Sequence, residues 1–133
     1  MQKNFADAVL EHHDASGADL RAADFTRARL RGCRFDGADL SDAVFDEAVL
    51  EDCSFRAARL EGASFSRARL RGVRLDDAVL ERAFLLDCGL EDVQWPRVTL
   101  SRATLRGLSH LPPLENAVAH KLHCLDCDLA ALR

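Results

Sequence analysis

The chain has no tyrosine, one tryptophan and one methionine, and its 133 residues include only three prolines and seven glycines. A chain so poor in aromatic faces is badly equipped to stack bases or sugars. Few prolines and glycines leave little material for long catalytic loops. No apolar run approaches the ~20 residues of a membrane span. The start, Met1-Gln2-Lys3-Asn4-Phe5, lacks the apolar stretch of a secretory leader, so a cytoplasmic location is expected. Five cysteines, an odd number, fit reduced thiols better than a disulfide framework. Lys plus Arg is 18 and Asp plus Glu is 22, a net charge of −4 that argues against a strongly basic nucleic-acid binder. With 48% hydrophobic and 30% charged residues, the composition is that of one folded domain.

What the chain does have is a period of five. Every fifth residue from Phe5 to Leu105 is large and apolar, with the single exception of Ala15. Six of the seven phenylalanines fall in this register, with Leu and Trp95 filling the rest. Two residues earlier, from Ala8 to Ala103, the position holds Ala, Cys or Val, His13 excepted. The unit is small–x–large followed by two mostly polar or glycine residues, as in Ala38-Asp39-Leu40-Ser41-Asp42. A period of five is neither helical nor that of a simple strand. In extended backbone the small and large residues share one face. Both should point inward while the next two turn a corner. A chain turning the same way every five residues winds into stacked coils ~4.8 Å apart, an all-β solenoid.

These units resemble the pentapeptide-repeat family, whose signature is A-(D/N)-L-x-x, over residues 4–107. The resemblance implies a right-handed, four-sided β-helix with about 20 residues per coil. About five coils are then expected in a solenoid spanning 1–107. A 40-residue duplication agrees with this period: the twelve residues from Phe25 to Asp36 recur from Phe65 to Asp76 with nine identical, the changes being Thr26 to Ser66, Cys33 to Val73 and Phe35 to Leu75. Charge follows the coils. Arginine-rich stretches near 27–34 and 67–74 alternate with acidic ones: Asp36, Asp39, Asp42, Asp46, Glu47, Glu51 and Asp52, then Asp76, Asp77, Glu81, Asp87, Glu91 and Asp92. Twenty residues per coil would stack Glu11, Arg31, Glu51, Arg71 and Glu91 in one column, and Asp7, Arg27, Glu47, Arg67 and Asp87 in another. Opposite neighbours of this kind fix coil register.

The pattern breaks in three places. His13 and Ala15 make the first coil irregular. Phe84 and Leu86 flank inward Leu85 and should face outward near Val44, forming an apolar patch that needs a cover. The C-terminal segment or a second copy of the chain could supply one. Residues 108–133 depart from the repeats. Leu114, Val118, Leu122 and Leu125 recur at helical spacing, so a short helix over 114–123 is expected, then a possible last strand over Cys124–Leu129. Together these would cap the solenoid, and family members that inhibit topoisomerases dimerise through such C-terminal ends.

Little of this chemistry points to catalysis. No nucleophile–base arrangement or phosphate loop can be placed, and carboxylates on a convex surface stay solvated. Cys33 and Cys53 should stack within disulfide reach or sit as buried thiols. His120, His123, Cys124 and Cys127 form an H-x-x-H-C-x-x-C cluster that is either a zinc site or surface histidines beside buried cysteines. No cofactor is expected. The reading is a non-catalytic protein-binding module. The quinolone-resistance branch of the family implies one target: an acidic, DNA-mimicking rod acting on DNA gyrase or topoisomerase IV, with the acidic residues above as its contact faces. The arginine bands count against a continuous DNA-like charge. The alternative is a scaffold, immunity or regulatory protein with a different protein partner.

Overall fold

The computed structural model describes residues 3–127. They form a four-sided tube of about six coils, with the chain turning a corner every five residues. Each corner places the second residue after the large one in the left-handed region, with φ between 52° and 71°. Where the corner is closed by a backbone bond, as from Ala48 N to Phe45 O (3.1 Å), Glu47 supplies the positive φ of a type II turn. Up to Gly107, corners without that bond carry short strands.

One side of the tube is a five-stranded parallel sheet, in the order β1 (Val9–Glu11), β2 (Arg29–Arg31), β3 (Val49–Glu51), β4 (Arg69–Arg71) and β6 (Gly89–Glu91). A second side carries β5 (Phe84–Leu86), β7 (Thr104–Arg106) and β8 (His123–Leu125), again parallel. The register is 20 residues: Leu30 pairs with Leu50, and Leu50 with Leu70. Outside the strands, isolated bridges such as Asp39↔Arg59 and Ser64↔Phe84 keep the same offset. The unit of five therefore reads out as one side of the tube, and four units as one coil.

The quintet residues fill the interior. Phe25, Phe45 and Phe65 stack on one side with ring centroids 4.8 and 4.9 Å apart, which is the spacing of adjacent strands. Phe35 and Phe55 stack on the opposite side, and the two columns meet edge to face at 5.8 Å. The alanines of the small position from Ala23 to Ala103 are buried between the columns, together with Cys33, Cys53, Cys88 and the valines that share that position. No buried polar or charged residue occurs among the described residues.

The expected helix over 114–123 is not formed, because that segment is a further coil. Its register is one residue short: Thr99 bridges Val118, and Thr104 pairs with His123. The two inward positions of each unit continue as Pro112 and Leu114, Ala117 and Ala119, and Leu122 and Cys124, although the small-then-large order is lost after Leu114. Leu108 and Leu111 are buried where the register slips, and Trp95 Nε1 donates to Pro112 O at 3.2 Å. Val118 and Leu125, two of the residues that mimicked a helical stripe, are 46% and 57% exposed. Asn116, Lys121 and Asp126 all have positive φ, which breaks a helix at each corner. The strand expected over Cys124–Leu129 begins as β8; residues 128–129 lie outside the described residues.

Candidate interaction surfaces

Inward-pointing quintet residues leave two kinds of outward position: the residues flanking each large one, and the corner that follows. The thirteen acidic residues of the two bands occupy these positions on all four sides. Asp46, Glu47 and Asp87 share the side of the Phe45 column, whereas Glu51, Asp52, Glu91 and Asp92 lie on or beside the five-stranded sheet. Asp36, Asp76 and Asp77 belong to the Phe35 side, and Asp39, Asp42 and Glu81 to the Leu40 side. They form rings around the tube, with arginine rows between them, and no single side carries an acidic stripe.

Their local roles divide them further. Asp36 accepts from Ser54 Oγ and from Arg56 N (3.0 Å) in the next coil. Asp46 does the same with Ser64 Oγ (2.5 Å) and Ser66 N (3.1 Å). Asp39 accepts from Ser41 N and Oγ within its own turn. The flanking acids of these units thus tie backbone to backbone. The recurring D-x-S/T spacing at Asp14, Asp24 and Asp39 signals the local version of this bond in the sequence. Asp76 is held by Arg74 at 2.7 Å, and that hydrogen bond lowers its pKa against the opposing effect of burial. A second group pairs with an arginine one coil away: Asp77 with Arg97 (2.7 Å), Glu47 with Arg67 (3.3 Å), Asp87 with Arg106 (3.1 Å) and Glu91 with Arg71 (4.0 Å). Asp42 and Asp52 lean over Gly62 and Gly72 of the following coil.

The predicted column Asp7–Arg27–Glu47–Arg67–Asp87 is half realised. Arg27 pairs with Asp7 at 2.8 Å and Arg67 with Glu47, but Asp87 turns to Arg106. Glu11, Arg31, Glu51, Arg71 and Glu91 are in register as expected, yet only Arg71–Glu91 comes within ion-pair reach. The closely paired carboxylates titrate low. Arg21 holds Asp19 at about 2, and Arg27 and Arg97 lower Asp7 and Asp77 through side-chain hydrogen bonds.

The outward apolar residues Phe84, Leu86 and Val44 lie on one side of the tube. Phe84 is 43% exposed, and Leu86 lies beyond inward Leu85 on the same strand. Val44 is two coils away, separated from Phe84 by Ser64. Leu125, which the sequence placed on a helical stripe, lies on the same side two coils from Leu86, with Arg106 registering between them. Residues 108–127 stack beneath β5 and β7 and leave Phe84 exposed.

The sulfur and imidazole groups do not converge. His120 and His123 are exposed, while Cys124 and Cys127 pack against the core, so the wall of the coil separates the two pairs. Among the described residues no group of three or more such side chains is placed to hold a metal. Cys33 and Cys53 are buried free thiols, each donating to a carbonyl of the coil above, Leu10 O and Leu30 O at 3.4 Å. A surface depression of about 390 Å³ lies over the five-stranded sheet between Val49 and Glu91, with His110 at its end.

A family model described as the pentapeptide repeat region matches residues 28–108, more than half of the chain, and a second, of pentapeptide repeats, matches residues 4–42. No curated protein matches the chain. HetL, a pentapeptide repeat protein involved in heterocyst differentiation regulation from the cyanobacterium Nostoc sp. strain PCC 7120, is similar in structure, with a TM-score of 0.79 and 29% identity. The likeness covers 90% of this chain and 50% of HetL, so the chain spans half of that protein's length. A pentapeptide repeat protein of the Arabidopsis thaliana thylakoid lumen gives a TM-score of 0.71 at 31% identity, covering 79% of this chain and 69% of its own. QnrB1, a plasmid-mediated fluoroquinolone resistance protein, gives 0.69 at 14% identity over 98% of this chain and 79% of its own, a likeness of fold alone. Small–x–large units wound four to a coil, together with these matches, establish that the chain belongs to the pentapeptide repeat family.

Proposed function

We propose that the protein is a non-catalytic binding module that presents the rigid sides of its solenoid to a protein partner in the cytoplasm. The observation that carries this reading is the outward apolar pair Phe84 and Leu86 on one strand, with Val44 and Leu125 two coils away on the same side. A stacked tube holds these side chains in fixed positions, so little ordering is needed on binding. Exposed apolar surface of this kind favours a protein partner over a small ligand. The test is a capture experiment from host lysate with the native chain and a Phe84→Glu/Leu86→Glu variant of equal thermal stability. A partner held by the native chain and lost by the variant supports the reading; equal recovery by both sinks it.

The second reading is a DNA-mimicking modulator of a type II topoisomerase, DNA gyrase or topoisomerase IV, that protects it from poisons. Its support is the family resemblance and the acidic rings at 36–52 and 76–92. The arginine rows between those rings weigh against it, since duplex DNA carries a charge every ~1.7 Å along its axis without interruption. A supercoiling assay with purified gyrase, with and without a quinolone, decides the matter: no change at micromolar protein would dismiss it. A scaffold, immunity or regulatory role with another partner then remains.

A further inference from the structure

The five-stranded sheet presents two outward columns. One reads Val9, Arg29, Val49, Arg69, Gly89 and the other Glu11, Arg31, Glu51, Arg71, Glu91. Two facts set this side apart. Its charges alternate in sign at every coil, and they are poorly satisfied within the chain. Among the described residues, Arg71 and Glu91 at 4.0 Å are the only ion pair on the sheet, and both remain about two-thirds exposed. Glu11, Arg29, Arg31, Glu51 and Arg69 have no ion-pair partner there, whereas the corner column beside it closes at 2.8 and 3.3 Å. Fixing coil register therefore does not account for these side chains.

A flat surface striped in this way is complementary to itself. We infer that this sheet packs face to face against the same sheet of a second copy of the chain, with the two tubes antiparallel. A parallel arrangement would set each row against its own sign. A two-fold axis lying in the interface along the strand direction, midway between β3 and β4, reverses the order of the rows. Each position then meets the position of the same column on the partner coil. Glu51 faces Arg71 of the second copy, and Arg31 faces Glu91. In the other column Arg69 covers Val49, and Arg29 reaches over Gly89, where no side chain fills the depression between Val49 and Glu91. This is the isologous pattern of a closed dimer, in which residue i meets j and j meets i. Four rows, β2, β3, β4 and β6, meet across the axis at ~4.8 Å spacing and give a contact only roughly 19 Å long, with β1 beyond it, so the association is weak and steered by charge.

The dimer stands apart from the heterologous partner proposed above, which uses another side of the tube. Sedimentation equilibrium of the full chain tests it, at low (about 20 mM) and high (about 0.5 M) salt. The expected result is a mass rising from 14.7 kDa towards twice that value with concentration at low salt, and falling back at high salt. Glu51→Arg alone should abolish the rise, because it sets arginine against Arg71 across the axis. Glu51→Arg/Arg71→Glu should restore it. In that variant opposite charges again meet between copies, although each exchanged residue now lies beside a like charge in its own column. If either variant loses its thermal transition, Arg31→Glu and Arg31→Glu/Glu91→Arg make the same comparison at the outer rows. A native chain that stays monomeric at about 1 mM protein in low salt overturns the inference. So does a folded exchange variant that remains as monomeric as its single counterpart.

Discussion

At Cys53 and Cys88, burial pushes the thiol pKa up to about 12, against smaller opposing effects of hydrogen bonding. A thiol is a nucleophile only as thiolate, so these sulfurs are inert at neutral pH. Cys33, equally buried, is shielded by the same packing. Cys124 and Cys127 sit in the last described coil and are only half-buried. Treatment of the native protein with an aromatic disulfide reagent at about pH 8 should therefore modify Cys124 and Cys127 first. Cys33, Cys53 and Cys88 should react only with the unfolding rate, as read by mass spectrometry of digested samples. Early labelling of Cys53 would show that the small-residue columns are not sealed. The same columns explain why cysteine stands in for alanine here: it is a small apolar residue whose weak S–H donor finds a carbonyl one coil away.

Corners are the element that sets the tube's shape, and most are made without glycine. Each non-glycine residue in the left-handed region carries about 1–2 kcal/mol of steric penalty, which the stacked coils must overcome. Two glycines separate that penalty from crowding. At Gly37 a methyl group would meet no atom within 4 Å, so Gly37→Ala should lower stability by only about 1 kcal/mol. At Gly72 it would overlap Asp52 Oδ1 of the coil above, and the aspartate would have to move. Gly72→Ala should lower the denaturation midpoint further than Gly37→Ala. Equal midpoints would mean that Asp52 swings away freely. The same corner rule decides the segment after Leu108. One residue is missing from that coil, and the neighbouring units continue with positive φ at Asn116 and Lys121.

On the scale of the whole molecule, charge is arranged as rings around a tube. Asp7, Asp19, Asp76 and Asp77 have pKa values lowered in the folded protein, each chiefly by an arginine hydrogen bond. A lowered carboxylate pKa favours the folded state above the unfolded value near 4. That contribution drains away as pH falls through the folded values, to about 2 for Asp19. Protonating the carboxylates also leaves 18 Lys and Arg and 5 His positive on the same tube. The thermal midpoint should hold steady above about pH 5 and fall steadily between about pH 4 and pH 2. A midpoint unchanged down to pH 2 would show that the rings of charge contribute nothing to folding. Because the pairs are exposed, each is worth little, and added salt should blunt the whole effect.

The quintet register and the inward Leu, Phe and Ala columns were legible because they depend on spacing alone: two apolar residues two apart, repeated every five, leave one way to hide both. The four-sided coil was implied by the family resemblance, with which the 40-residue duplication agreed. Charge order, like the quintet register, was legible from spacing. Three things were not. Asp36 and Asp46 look like free surface acids until the next coil brings Ser54, Arg56, Ser64 and Ser66 to their carboxylates. The segment from Leu114 looks helical, because a one-residue slip hides a period of five behind spacings of three and four. Leu125 reaches the side of Phe84 and Leu86 only through the shortened last coil. Sequence determined what points inward, since burial is settled residue by residue along the chain. Tertiary structure decided which outward groups become neighbours, since those contacts join residues about 20 apart whose side-chain reach no linear pattern encodes.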